Sequence, residues 1–205
     1  MDTARNAALE TLYAEVRACT HCPLHAGRAN AVPGAGPLDA EIMFIGEAPG
    51  FHEDQQGIPF VGAAGQYLSE LLAGIGVDRT RVYIANVIKC RPPGNRDPLD
   101  EEVAACEPFL NRQMEIIRPK IVVTLGRHSM ARAFPNDKIS LVHGQARRVN
   151  EVIYFPMYHP AAALHRPSLK TDVEADFQRL RELLDGKWEA EIYRALPAAE
   201  QLSLF

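Results

Sequence analysis

Four cysteines offer the first chemistry: Cys19 and Cys22 form a C-x2-C pair, while Cys90 and Cys106 lie far downstream with fifteen residues between them. Disulfides are disfavoured in a cytosolic chain, so these thiols bind a metal or are plain core residues. A zinc ribbon uses two short-spaced pairs, and only one pair is close here. An iron–sulfur cluster accepts such dispersed thiolates. Spacing alone leaves zinc and iron both open. Either metal would tie the first helix to the loop after the second strand, the bonds offsetting the entropy of closing a long segment of chain. A second set of reactive types follows apolar runs directly: Gly46-Glu47-Ala48-Pro49-Gly50, Lys89-Cys90-Arg91-Pro92-Pro93, Gly126-Arg127-His128 and Tyr158-His159-Pro160.

The runs that precede these segments are 41–45, 82–88, 120–125 and 152–157, and each is apolar almost throughout, as strands buried on both faces are. Between them apolar residues recur at helical spacing: Leu9, Leu12, Tyr13 and Val16; Ala64, Tyr67, Leu68, Leu71, Leu72 and Ile75; Val103, Cys106, Leu110, Met114 and Ile117; Val173, Phe177, Leu180 and Leu184. Alternating strand and helix predicts an α/β protein, a three-layer α/β/α sandwich around a parallel sheet. Ligands of such sheets gather beyond the carboxyl ends of the strands, which is where the reactive segments fall.

The chain has 205 residues, 47% of them hydrophobic, enough for one domain with a sizeable core. A formal charge of −4 does not advertise a nucleic-acid binder. The charge is uneven, however: basic residues prevail from Arg127 to Lys170 and acidic ones from Asp97 to Glu107, so a local basic face is compatible with it. No apolar run approaches the ~20 residues of a membrane span. The start, Met1-Asp2-Thr3-Ala4-Arg5, lacks the apolar core of a secretory signal. A cytoplasmic monomer is expected.

Gly46-Glu47-Ala48-Pro49-Gly50 with Glu53-Asp54, Pro59-Phe60-Val61-Gly62, Asn86-Val87-Ile88-Lys89-Cys90-Arg91-Pro92-Pro93 and His159-Pro160 together resemble the family 4 uracil-DNA glycosylases, from about Cys19 to about Leu184. The resemblance implies a four-stranded central parallel sheet, a structural 4Fe-4S cluster on Cys19, Cys22, Cys90 and Cys106, and uracil in DNA as the target. It implies a reaction in which the base is flipped out of the stack and its glycosidic bond hydrolysed, leaving an abasic site that starts base excision repair. Phe60 is then the floor under the flipped uracil. Asn86 reads the N3–H donor and O4 acceptor that distinguish uracil from cytosine. His159 donates to O2 as negative charge grows there. The place that holds a water-positioning aspartate in the best-known uracil glycosylases is Ala48, so Glu47 and Glu53 are the carboxylates that remain. Glu47 is expected to hold the pocket or the water, and Glu53 to lie near the uracil edge and disfavour a thymine methyl. Backbone groups of Ala48 and Pro49 are also expected against the base.

The same resemblance makes Leu164, His165 and Arg166 the loop that enters the minor groove, although the usual Leu-Leu-Arg reads Ala163-Leu164-His165 here. Arg91, Arg96 and Lys170 are expected phosphate contacts. The loop after Cys90 lacks the histidine of a related branch that traps uracil sites covalently, so turnover is expected. Residues 1–187 are read as the glycosylase domain and 188–205 as an extension. It ends in Gln201-Leu202-Ser203-Leu204-Phe205, which resembles the pentapeptide that docks bacterial repair proteins on the sliding clamp. The alternative function is a non-catalytic module that binds nucleotides or damaged DNA and carries a structural metal. A nucleotide hydrolase is disfavoured, because the turn after the first strand has neither the lysine nor the spacing that cradles a triphosphate.

Overall fold

The computed structural model describes residues 2–192. The candidate clamp peptide, Gln201 to Phe205, lies outside them. In chain order the elements are α1 (Thr3–Ala18), β1 (Ile42–Gly46), α2 (Phe51–Gln56), α3 (Ala63–Gly74), β2 (Tyr83–Asn86), α4 (Asp100–Ile117), β3 (Ile121–Leu125), α5 (Arg127–Ala131), α6 (Ile139–Val142), β4 (Arg147–Val149), β5 (Val152–Met157), α7 (Pro160–His165), α8 (Lys170–Leu184) and β6 (Glu191–Ile192). The four helices expected from apolar stripes are α1, α3, α4 and α8. Among the described residues no helix is long and apolar enough to cross a membrane.

The sheet runs β2-β1-β3-β5-β4-β6. The first four of these are the expected strands, and neighbours among them pair in parallel. The expectation of four strands is corrected to six in a mixed sheet. β4 adds antiparallel to β5, and β6 adds parallel to β4. Both additions escape a search for apolar runs for one reason: β4 reads Arg-Arg-Val and is at most half-buried, and β6 is two exposed residues. Edge strands of this kind are short and charged, which discourages further pairing. The hairpin between β4 and β5 turns at Asn150, which takes the left-handed conformation with φ 54°.

Alternate side chains of the strands enter two separate cores. Phe44, Val123 and Phe155 pack with Leu68, Leu72, Phe177 and Leu180 from α3 and α8. Met43, Ile45 and Val122 pack on the other face with Leu9, Leu12, Val16 and Leu110 from α1 and α4. Burial on both faces is therefore why the strands read as continuous apolar runs. Register then fixes the site: Gly46 stands opposite Asn86, and Leu125 opposite Met157. The residues that follow β1, β2, β3 and β5 thus emerge side by side along one edge of the sheet.

Candidate active site

A cavity of about 380 Å³ opens at that edge, and Glu47, Phe60, Asn86 and His159 all line it, with Ala48, Pro49, Glu53, Asn95, Arg96 and His165. Asn86 is the last residue of β2 and is 2% exposed. Its Oδ1 is buried and has no hydrogen-bond partner, although burying an acceptor unpaired costs about 1–3 kcal/mol. Its backbone is tethered by Lys89, whose Nζ donates to the Asn86 carbonyl and to Gln113 Oε1, each at 2.7 Å. Both Lys89 and Gln113 are buried, so the amide is set on a rigid polar network.

Phe60 carries a left-handed backbone, φ 54°, which a bulky side chain adopts only under constraint. Three groups supply it. Arg79 Nη2 donates to the carbonyls of Pro59 and Phe60 at 3.1 and 2.8 Å. Glu53 Oε1 accepts from Val61 N–H and Gly62 N–H at 2.9 and 2.8 Å, while its Oε2 accepts from Gly50 N–H at 3.1 Å. Gly65 approaches the Phe60 carbonyl so closely that a Cβ would sit 1.8 Å from its oxygen. The ring so held stands 5.5 Å from the His159 ring at 27°, and its edge closes on Gly46, where a Cβ would meet it at 2.8 Å. Both oxygens of Glu53 are thus engaged by the backbone, and the carboxylate braces the floor of the cavity.

His159 caps the first turn of α7: its Nδ1 accepts from Ala161 N–H at 3.1 Å. Nδ1 being an acceptor, the ring proton is on Nε2. Its side chain forms part of the cavity wall, and burial pushes its pKa down to about 4, against a smaller upward pull from Glu53. The imidazole is therefore neutral near pH 7 and is a hydrogen-bond donor through Nε2–H.

Glu47 follows β1, and its Oε2 lies 3.8 Å from His128 Nε2, which is 3.7 Å from Asp97 Oδ1. Burial raises the Glu47 carboxyl above its ordinary value; His128 and Arg127 pull it back down, and Asp97 adds to the rise. Ligand atoms of Glu47, Asp97 and His128 lie within 4.8 Å of one another. Sequence reading gave His128 no role; its place after β3 was the available signal. Asn95 was also missed. It takes φ 55° in a turn and brings a second amide to the cavity, its Oδ1 accepting from Arg91 Nε at 2.7 Å.

The expected DNA contacts are spread around the mouth. Leu164 is 47% exposed at the end of α7, His165 reaches the cavity, and Arg166 is exposed. Arg96 is committed to a two-pronged ion pair with Glu102, at 2.9 and 2.6 Å, so most of its charge is neutralised inside the protein. Lys170 sits 6.0 Å over the Tyr67 ring, at the start of α8.

The four cysteines converge behind the site. All are free thiols lining one small cavity with Val16, His25 and Phe109. Three N–H groups point at the sulfurs: Arg28 Nη1 at Cys90, 3.1 Å; Lys89 N at Cys106, 3.4 Å; His21 N at Cys19, 3.5 Å. Burial raises the thiols of Cys90 and Cys106, the latter to about 11. N–H donors aimed at buried sulfur suit thiolates whose charge a bound metal compensates, so this donor set fits a four-cysteine metal centre.

Residues 33–184 match the model of the "Uracil DNA glycosylase superfamily". The chain is 50% identical to the type-4 uracil-DNA glycosylase of Sulfurisphaera tokodaii over 85% of this chain and 84% of that one. It is 47% identical to that of Archaeoglobus fulgidus over 87% and 94%, and 41% identical to that of Thermotoga maritima over 88% and 96%. The cavity at the sheet edge, with Cys90 and Cys106, lies within the stretch that the family model matches, and the chain belongs to the uracil-DNA glycosylase superfamily, among its type-4 members.

Proposed function

We propose that this protein hydrolyses the bond between uracil and deoxyribose in DNA, releasing uracil and leaving an abasic site. The single observation that carries the reading is the orphaned Oδ1 of Asn86, a residue that lines the same cavity as Phe60 and His159. An extruded uracil offers that oxygen its N3–H, and the Asn86 amide N–H reaches O4; cytosine presents the opposite pattern and leaves the acceptor unpaired. The base lies on Phe60. As the glycosidic bond breaks, charge accumulates on uracil O2, where the neutral His159 donates through Nε2–H. A water then adds to the cationic sugar, its proton passing to the departing uracil anion, and Glu47 holds that water or stabilises the sugar. Glu53 acts by fixing Gly50, Val61 and Gly62 around the ring. Single-turnover excision from a uracil-containing oligonucleotide tests the assignment: Asn86→Ala is expected to lose about 2–3 kcal/mol of transition-state binding, a rate loss of about a hundredfold. Wild-type rates in that variant would remove Asn86 from the site and the reading with it.

Cys19, Cys22, Cys90 and Cys106 would hold a 4Fe-4S cluster: the donor set fits a four-cysteine metal centre, and the likeness to the type-4 family is what favours iron over zinc. When bound, the cluster supplies a structural tie between α1, the segment after β2 and α4. Purified protein is expected to absorb visible light in the thiolate-to-iron bands; a colourless, zinc-loaded protein would overturn iron. The enzyme is read as a cytoplasmic monomer of one glycosylase domain, 1–187, and an extension, 188–205, whose Gln201, Leu202, Ser203, Leu204 and Phe205 dock on the sliding clamp. Deleting those five residues is expected to abolish clamp binding and leave excision of uracil from free oligonucleotides intact; unchanged clamp affinity would defeat the docking.

A further inference from the structure

Phe51 opens α2 and is 51% exposed, at the rim of the uracil cavity and between Gly50 and Glu53, which line it. The Arg91 guanidinium lies over this ring, its carbon 5.2 Å from the centroid, and His52 meets the ring edge-on at 5.4 Å. Arg91 also donates to Asn95, and Pro92 and Asn95 belong to the cavity wall, so the pair is anchored to the site. Single exposed apolar side chains are ordinary, but this one has a cation stacked against it beside a cavity that receives one nucleotide of a strand. Among the described residues Arg91 forms no ion pair, whereas Arg96 across the rim is neutralised by Glu102.

A strand that delivers one base to the cavity must lay its next nucleotide across the rim. We propose that Phe51 and Arg91 form a subsite for the nucleotide adjacent to the extruded deoxyuridine, its base stacked on the free side of Phe51 and its phosphate paired with Arg91. The proposal rests on the glycosylase reading. The subsite accepts any base, because every base has a stacking face, and its effect is largest on single strands, where the neighbouring base has no opposite partner to leave. Arg91 contributes charge and steadies the ring from the other side.

The test uses the full-length protein and short single strands containing 2′-fluoro-deoxyuridine, which resists cleavage, with the fluorescent base 2-aminopurine on its 5′ side in one strand and its 3′ side in another. Binding is expected to quench the probe in one of the two strands. Phe51→Ala and Phe51→Leu are each expected to lose that quenching and bind about tenfold more weakly, whereas Phe51→Trp retains both. The leucine variant keeps the apolar bulk, so its loss is that of the aromatic face. Competition by free uracil, which needs only the cavity, separates the two readings. Uracil binding with quenching and affinity that ignore Phe51 overturns the subsite alone; no binding of uracil or of either strand by the wild type overturns the glycosylase reading as well.

Discussion

His159 enters the proposed reaction as a neutral ring because its Nδ1 is occupied by Ala161 N–H and burial holds its pKa near 4. Glu47 is shifted the other way, upward, chiefly by burial. Burial disfavours the charged form of each, so it keeps the imidazole neutral and resists ionisation of the carboxyl. His159 stays neutral above its pKa of about 4, so an acid limb of kcat/KM displaced upward from the ordinary carboxylate range belongs to Glu47, which must be ionised to hold water or a cationic sugar. The limb is expected to vanish in Glu47→Gln and to persist in His159→Gln, with the histidine variant slower by about a hundredfold or more throughout. A limb that survives Glu47→Gln would transfer the titration to another group. Glu53→Gln is expected to differ from both. Removing one of its acceptors strips a charge-assisted bond from the Val61–Gly62 turn or from Gly50, which costs about 1.5–3 kcal/mol of stability. A lowered melting temperature with near-normal uracil discrimination is the expected result; intact stability with lost discrimination against thymine would return Glu53 to the uracil edge.

At the scale of elements, α3 does more than fill one core. Its apolar stripe is legible in the sequence because Tyr67, Leu68, Leu71 and Leu72 repeat at helical spacing. Its role in the site is not legible, because that depends on a close approach between residues distant in conformation: Gly65 lies under the carbonyl of Phe60, whose own backbone is left-handed. A Cβ at Gly65 would sit 1.8 Å from that oxygen, whereas at Gly74, at the end of the same helix, it would meet nothing within 4 Å. Gly65→Ala is therefore expected to cost about 1–3 kcal/mol or more through overpacking and to displace Phe60, reducing uracil excision sharply. Gly74→Ala is expected to raise stability by about 0.4–1 kcal/mol by restricting the unfolded chain, with excision unchanged. Thermal melts and single-turnover rates on the two variants check this, and equal behaviour would refute the asymmetry. α2 and α7 escaped the periodic reading for a different reason: six residues are too few for an apolar stripe to repeat. Their chemistry was visible only through motif residues at their ends, Gly50 and His159.

Across the whole molecule, the sequence disclosed what is buried on two sides and concealed what is built from polar groups. The four parallel strands and four long helices follow from apolar patterning, whereas β4, β6 and the Glu47–His128–Asp97 cluster have no such pattern and depend on tertiary placement. Asp176 belongs to the concealed set. It sits on α8 with its side chain 1% exposed, its Oδ2 bonded to His143 Nδ1 at 2.9 Å and its Oδ1 without a hydrogen-bond partner, 3.8 Å from Arg179 Nη1 in an ion pair. Burial raises its pKa to about 6, and the pull of His143 and Arg179 in the other direction is smaller. A carboxyl whose folded pKa exceeds its unfolded value of ~3.9 stabilises the fold fully below that lower value, and the contribution is lost as pH climbs through 6. Asp176→Asn cannot ionise, so its melting temperature relative to wild type is expected to rise between pH 5 and pH 8. The corresponding gain is about 1–2 kcal/mol after allowance for partial solvent screening. Melting curves at both pH values decide the matter: a difference that stays constant, or that shrinks as pH rises, would show that the Asp176 carboxyl is already ionised at pH 5 and that the fold tolerates its charge.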